Sequence, residues 1–202
     1  MKQMIKDTLI LFAITLIAGC LLGLFYQVTQ KPIAKQEELA KQEAYQKVFA
    51  DADKFEVQEF DTGKAESILK NAGYDATINE VIKAINTAGE PMGYVVTVTT
   101  HEAYNGDITF SVGIKGDGTV NGMSILSISE TAGLGMKAEE ELVPQFSDKK
   151  TDSFAYSKTG ASADNEIDAI SGATITTNAV VNGVNAGLIY FQEELAGGGK
   201  DE

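Results

Sequence analysis

The sequence of 202 residues contains no arginine, and it has one cysteine and one histidine. Its 16 basic residues are therefore all lysine, set against 29 Asp and Glu, and the formal net charge is -13. Proteins that bind nucleic acid hold the phosphate backbone through clustered Lys and Arg. The charge balance therefore argues against a nucleic acid partner.

The single cysteine, Cys20, lies in an apolar N-terminal segment and cannot form a disulfide within the chain. Iron–sulfur clusters and c-type haem need several cysteines or a C-x-x-C-H sequence. Structural zinc needs a set of Cys and His ligands that one Cys and one His cannot supply. No metal site is therefore predicted, and any electron carrier bound to this chain would have to be organic.

Residues 8–30 contain no charged side chain, and the apolar run from Thr8 to Tyr26 is about long enough to cross a bilayer. This pattern predicts a single transmembrane anchor over residues 1–30. The run from Ile17 to Cys20 also resembles a lipobox, in which cleavage leaves a lipidated Cys at the N-terminus. The sequence stays apolar after Cys20, which a mature lipoprotein would not need, and this favours an uncleaved anchor.

Beyond the anchor, the sequence predicts a juxtamembrane helix over residues 31–52, one α+β domain over residues 53–196 and a disordered tail over residues 197–202. Periodicity predicts strands at 54–60, 79–86, 92–100, 106–115 and 119–129, helices at 62–72, 137–146 and 174–195, and a polar loop at 147–166. Asp117-Gly118 favours a two-residue hairpin turn. The centre of the domain is therefore expected to be an antiparallel meander with flanking helices.

The stretch IDAISGATITTNAVVNG, residues 167–183, lies where the polar loop meets the last predicted helix. Gly172 permits close backbone approach, and the threonines after it open a helix whose first N–H groups lack partners within the helix. Those donors and the helix dipole stabilise an anion. The alternative is a simple helix cap made by one of the nearby hydroxyls, Ser171, Thr174, Thr176 or Thr177.

Two motifs together resemble the FMN-binding domain family. Asp168 and the run Ser171–Thr174 match its D-x-x-[ST]-G-A-T motif, and Glu130–Gly135 is similar to its E-T-P-G-L-G loop, with Ala132 in place of proline. The order of anchor, KPIAKQ helix, DGTVNGMSIL strand, ETAGLG loop and SGAT motif also resembles the G subunits of Rnf electron transport complexes over nearly the whole chain. The C subunits of sodium-translocating NADH:quinone reductases share both motifs.

This resemblance implies a covalently bound flavin and no catalytic residue. Thr174 would carry FMN through a phosphodiester between its Oγ1 and the FMN phosphate, made by a separate flavin transferase. The other implied cofactor-binding residues are Asp168, Ser171, Gly172 and Ala173 around the phosphate, and Glu130, Thr131, Gly133, Leu134 and Gly135 along the flavin. Asp168 would either help to hold the phosphate or be read by the transferase. For Glu130 the alternative is a solvated carboxylate at the end of a strand.

The resemblance further implies a single-pass protein of the cell (inner) membrane with its flavin domain outside the cytoplasm. Its electron transfer would take place in a ferredoxin:NAD+ oxidoreductase complex coupled to ion translocation, among other integral membrane subunits and iron–sulfur and flavin subunits. Those partners would handle NAD and ferredoxin, because this chain has neither a dinucleotide-binding pattern nor cluster cysteines. Three alternatives stay open: a quinone reductase C subunit, an extracellular flavoprotein lipidated at Cys20, and a cofactor-free extracytoplasmic binding domain.

Three further features have weaker links to a flavin. His101 could influence the flavin's protonation, Tyr104-Asn105-Gly106 resembles the family's aromatic-x-Gly element, and Lys137 could meet the phosphate. Their simpler interpretations are a surface histidine at a strand end, a turn with a packing tyrosine, and an exposed lysine at a helix start.

Overall fold

The computed structural model describes residues 1–197, so the predicted tail lies outside the described residues except for Gly197. The chain divides into two units, one over residues 1–40 and one from Lys41 onward. Helix α1 runs from Lys2 to Val48. The predicted anchor and juxtamembrane helix are thus parts of one helix, which continues through Pro32.

Every residue of the first unit is exposed. Among the described residues, α1 is the one helix long and apolar enough to cross a membrane. The Thr8, Thr15 and Thr29 hydroxyls donate to carbonyl oxygens four residues earlier, at 2.8, 3.1 and 2.9 Å. These bonds satisfy polar groups inside the helix, as a hydrocarbon environment requires. Length, composition and internal hydrogen bonding therefore all suit a membrane span.

The second unit is built on a six-stranded antiparallel sheet in the order β1-β2-β3-β4-β5-β6. Its strands are β1 Lys54–Gln58, β2 Ala76–Ile85, β3 Pro91–Thr100, β4 Ile108–Lys115, β5 Thr119–Ser127 and β6 Lys149–Lys150. Helix α2, Thr62–Ala72, connects β1 to β2. Its N-cap Asp61 accepts from two first-turn amides, and Gly73 ends it in the left-handed conformation. The predicted α+β meander is confirmed.

The last helix, α4, runs from Thr174 to Tyr190 and packs on one face of this sheet. Its Val180, Val184 and Leu188 are buried in the same cluster as Val98 and Phe110 of the strands. Burial of this apolar face fixes the helix on the sheet and therefore fixes where the helix begins.

The end of α1 belongs to the opposite face of the sheet. Val48 and Phe49 are buried with Ile82 and Val95. Gly113 of β4 leaves room for this contact, because a Cβ there would lie 2.8 Å from the Cβ of Val48. The last part of the predicted juxtamembrane helix, from Ala44 onward, thus packs on the domain, whereas its residues up to 40 are exposed.

The segment between β5 and α4 differs from the sequence prediction in two ways. The helix expected at 137–146 is a series of short pieces: a 3₁₀ turn at Gly135–Lys137, α3 at Ala138–Glu141, and a 3₁₀ turn at Val143–Phe146 that Pro144 helps to begin. The expected loop at 147–166 contains β6 and β7, Ala155–Ser157, which pairs in parallel with β8, Glu166–Asp168. Strands of two or three residues show no readable alternation.

Packing of α4 on the sheet gives a prediction about two of its glycines. A Cβ on Gly183 would lie 2.6 Å from Phe110 Cζ, whereas a Cβ on Gly187 would meet Val98 Cγ2 at 3.4 Å, an ordinary contact. We expect Gly183→Ala to lower the free energy of unfolding by about 1–2 kcal/mol, since overpacking outweighs the gain in helix propensity. Gly187→Ala is the matched control and should be neutral or stabilising. Urea unfolding of both variants in detergent checks this, and equal stability of the two would contradict it.

Candidate functional site

A cleft of about 490 Å³ opens at the N-terminus of α4. Three segments form it: the loop between β3 and β4, the loop after β5, and the start of α4. Its lining residues are Tyr104, Glu130, Thr131, Leu134, Gly135 and residues 172–176. Both predicted motifs therefore meet at one cleft, whose volume is in the usual range for a cofactor site.

A larger cavity of about 660 Å³ lies beside α2 and the start of β2. It is lined by exposed polar side chains of α2 together with His101. Neither of the two motifs reaches this cavity. The smaller cleft is therefore the better candidate, because size alone does not identify a site.

Helix α4 begins at Thr174 without a side-chain cap among the described residues, and its N-cap position is Ala173. The Thr176 hydroxyl donates to Glu130 Oε2 at 3.0 Å, and the Thr177 hydroxyl donates to the Ala173 carbonyl at 3.0 Å. The interpretation of the motif as a helix cap is therefore wrong. The first amides of the helix stand at the cleft as donors for an anion.

Thr174 is half-buried at the cleft, and its hydroxyl has no hydrogen-bond partner in the described part of the chain. Thr176 and Thr177, in the same turn, use their hydroxyls to hold the structure together. Thr174 is thus the threonine of this turn whose hydroxyl remains available to a ligand.

Glu130 is buried at 8% exposure, so the interpretation as a solvated carboxylate is wrong. Its Oε1 accepts from the backbone amides of Tyr104 and Asn105, at 2.8 and 3.0 Å. Its Oε2 accepts from Thr176. One carboxylate therefore joins the loop after β5, the loop between β3 and β4, and the first turn of α4.

Two glycines allow these segments to come close together. A Cβ on Gly135 would lie 2.6 Å from Thr176 Oγ1 and 2.7 Å from Glu130 Oε2. Gly172 has φ +78°, a conformation that favours glycine, and a Cβ there would lie 3.3 Å from Leu134 Cδ2. Side chains at either position would push the walls of the cleft apart.

Three of the predicted residues do not line the cleft: Asp168, Ser171 and Gly133. The Asp168 carboxylate accepts from the Ala161 amide, and its own amide donates to Gln145 Oε1 at 2.7 Å. Nearby, hydrogen bonds from the amide and hydroxyl of Ser162 lower the pKa of Glu166. These carboxylates hold the 157–168 loop instead of facing the cleft.

His101 and Lys137 also have partners away from the cleft. His101 Nδ1 lies 2.9 Å from Asp107, and Lys137 forms an ion pair with Glu141 at 3.1 Å. Tyr104, in contrast, lines the cleft with 67% of its surface exposed. Tyr104, Ile175 and Thr176 are lining residues that the predicted set leaves out. The aromatic-x-Gly element could have indicated Tyr104, and adjacency to Thr174 in the sequence could have indicated Ile175 and Thr176.

Two family models match the chain. The FMN-binding domain model matches residues 103–189, and the model of the RnfG N-terminal region matches residues 1–48. The first match contains every lining residue of the cleft.

Relatives match over almost the full length. The chain is 34% identical over 194 residues to the G subunit of the Na(+)-translocating ferredoxin:NAD(+) oxidoreductase complex of Acetobacterium woodii, covering 95% of this chain and 93% of the relative. It is 32% identical over 188 residues to the G subunit of the proton-translocating ferredoxin:NAD(+) oxidoreductase complex of Clostridium ljungdahlii, covering 89% and 90%.

A solved structure shares the fold. The crystal structure of Shewanella oneidensis NqrC superposes with a TM-score of 0.51 at 18% identity, covering 73% of this chain and 84% of that one. Similarity at this level of identity establishes the architecture alone. The near-complete matches above 30% identity establish more: this chain belongs to the family of G subunits of Rnf-type ion-translocating oxidoreductase complexes, and it contains an FMN-binding domain.

Proposed function

We propose that this chain is a membrane-anchored electron carrier that holds FMN in phosphodiester linkage to Thr174. The observation that carries the proposal is the Thr174 hydroxyl, free of partners among the described residues and placed at the uncapped start of α4 inside an FMN-binding domain. The helix start supplies donors for a phosphate, and the hydroxyl supplies the oxygen for the ester.

The cleft suits FMN in its apolar part as well. Tyr104, Leu134 and Ile175 line it and remain 67%, 41% and 53% exposed in the protein alone. Exposed apolar groups gathered at one cleft are typical of a ligand site. The isoalloxazine ring would cover them, while the phosphate would lie at the amides of the first turn of α4.

A covalent bond would retain the FMN phosphate at a site whose electrostatics bind a free phosphate weakly. The chain has no Arg, its formal net charge is -13, and no Lys or His stands among the described residues of the cleft lining. A free phosphate dianion would therefore be held weakly. In the proposed transfer, the Thr174 Oγ1–P bond forms while the bond between the FMN phosphorus and the leaving group of an activated flavin nucleotide breaks, and the hydroxyl proton passes to a base. Threonine is a poor nucleophile, and a separate transferase would supply the base.

FMN, when bound, accepts and releases one or two electrons. The residues of this chain hold the cofactor and set its surroundings. Relatives at 34% and 32% identity are named as subunits of ferredoxin:NAD(+) oxidoreductase complexes. We infer that this chain works in an equivalent complex, with integral membrane, iron–sulfur and flavin subunits as partners.

One of these relatives is named for Na+ translocation and the other for proton translocation. An Rnf-type G subunit is favoured over a quinone reductase C subunit, since the NqrC match rests on 18% identity. The FMN-binding domain match weighs against a cofactor-free binding domain, and so does the start of α4, which no described side chain caps.

The anchor and its orientation complete the proposal. We infer that α1 spans the cell (inner) membrane once, with residues 1–30 as the anchor, 31–52 as a juxtamembrane segment whose helix ends at Val48, and 53–196 as the flavin domain. The flavin domain would lie outside the cytoplasm. The apolar stretch of α1, exposed along its whole length, supports membrane insertion.

The ester site gives the first prediction of this function. When the full chain is produced with a flavin transferase, we expect the wild type to fluoresce in a denaturing gel and Thr174→Ala to lose the signal. Folding should change little, because this hydroxyl has no partner to lose among the residues that the structure describes. Thr87→Ala removes a threonine hydroxyl in the exposed turn between β2 and β3, away from the cleft, and should keep the flavin. Fluorescence that persists in Thr174→Ala would overturn the assignment.

The close packing at Gly135 gives a second prediction. Gly135→Ala should force Glu130 and Thr176 apart, reduce the amount of attached flavin and lower the free energy of unfolding by about 1–3 kcal/mol. Gly116→Ala is a suitable control, because a Cβ there meets nothing within 4 Å. Flavin absorbance per protein and urea unfolding measure the two effects. Normal attachment in Gly135→Ala would contradict the assigned geometry.

A third prediction concerns Cys20. An uncleaved anchor predicts that the mature protein keeps residues 1–19 and carries no acyl chain on Cys20. Intact-mass spectrometry of protein purified from membranes checks both points. An N-terminus at Cys20 with attached acyl chains would instead establish the lipoprotein alternative.

A further inference from the structure

The described lining of the cleft contains an acidic side chain and no basic one. Among the described residues that line the cleft, two have ionisable side chains: the carboxyl group of Glu130 and the phenol of Tyr104. The two cations that the sequence suggested for this site have partners away from the cleft: Lys137 pairs with Glu141, and His101 pairs with Asp107. A cofactor in this cleft would therefore meet a carboxylate and no cation.

Glu130 is also held in place. Both of its oxygens act as acceptors, one from two backbone amides and the other from the Thr176 hydroxyl. These three donors are the kind that a carboxylate needs when it is buried, because its two oxygens can only accept. At 8% exposure, water screens this charge less than it would screen a surface charge.

We propose that Glu130 lowers the reduction potential of the bound flavin. The inference rests on the proposed function, since it requires FMN in this cleft. Reduction moves electrons from the donor onto the isoalloxazine ring and so adds negative charge there. A fixed carboxylate at the wall of the cleft, with no cation opposite, raises the free energy of the reduced form relative to the oxidised form.

A substitution is available that removes the charge and keeps the shape. In Glu130→Gln, Oε1 can still accept from the amides of Tyr104 and Asn105, while Nε2 donates to Thr176 Oγ1. The three hydrogen bonds survive with one reversed in direction. A structural role alone would therefore leave this variant close to the wild type.

The experiment is a spectroelectrochemical titration of the flavin in full-length, FMN-loaded protein. We expect a higher midpoint potential in Glu130→Gln than in the wild type. Glu80→Gln is the matched control, because Glu80 is a partly buried carboxylate. It accepts from the Tyr45 hydroxyl and the Lys41 ammonium of α1, at 2.6 and 3.1 Å, on the other side of the sheet. Its potential should stay at the wild-type value.

A second pair of variants tests the same electrostatic effect if Glu130→Gln fails to fold. Thr131 is exposed at the cleft, so Thr131→Lys and Thr131→Glu add opposite charges at the surface. Thr131→Lys should raise the potential and Thr131→Glu should lower it. Potentials that do not differ between these two, or a Glu130→Gln potential at or below the wild-type value, would overturn the inference. A wild type that takes up no flavin would instead refute the proposed function itself.

Discussion

The hydrogen bond from Thr176 to Glu130 joins positions 46 residues apart in the chain and holds the candidate site together. Because the same carboxylate accepts from Tyr104 and Asn105, three separate segments depend on one side chain. A buried carboxylate is costly unless its acceptors are satisfied, and here both oxygens are. The fold must therefore deliver the three segments to one point.

The sheet and α4 meet this requirement. Burial of Val180, Val184 and Leu188 holds α4 on the sheet, and the missing side chain of Gly183 lets the helix approach Phe110. The start of the helix is thereby fixed at the ends of β3 and β5, where the two loops emerge. The rigid part of the domain positions the site, and the loops supply its walls.

Much of this was predictable from sequence, for reasons that differ between elements. The long strands and α2 were predicted closely because alternation along the strands and a glycine at the end of the helix are strong local signals. The two-residue turn predicted at Asp117-Gly118 is wrong, because three residues, 116–118, separate β4 from β5 and the Gly118 amide donates to the Lys115 carbonyl. The cleft followed from two motifs, of which Thr174, Glu130 and Gly135 were found where expected. The position of Asp168 away from the cleft was not predictable from the sequence. Its partners Ala161 and Gln145 are brought to it only by short strands and helical turns. The role of Thr176 was likewise hidden, because it depends on a contact across the fold.

The end of α1 has a consequence for how the domain can be isolated. Tyr45, Val48 and Phe49 are core side chains of the globular unit, although they belong to the helix that carries the anchor or follow it directly. A soluble fragment cut after these residues would uncover the apolar face around Ile82 and Val95. Such a fragment would expose a hydrophobic patch and aggregate, so proteolysis or truncation meant to release the flavin domain must cut before Lys41.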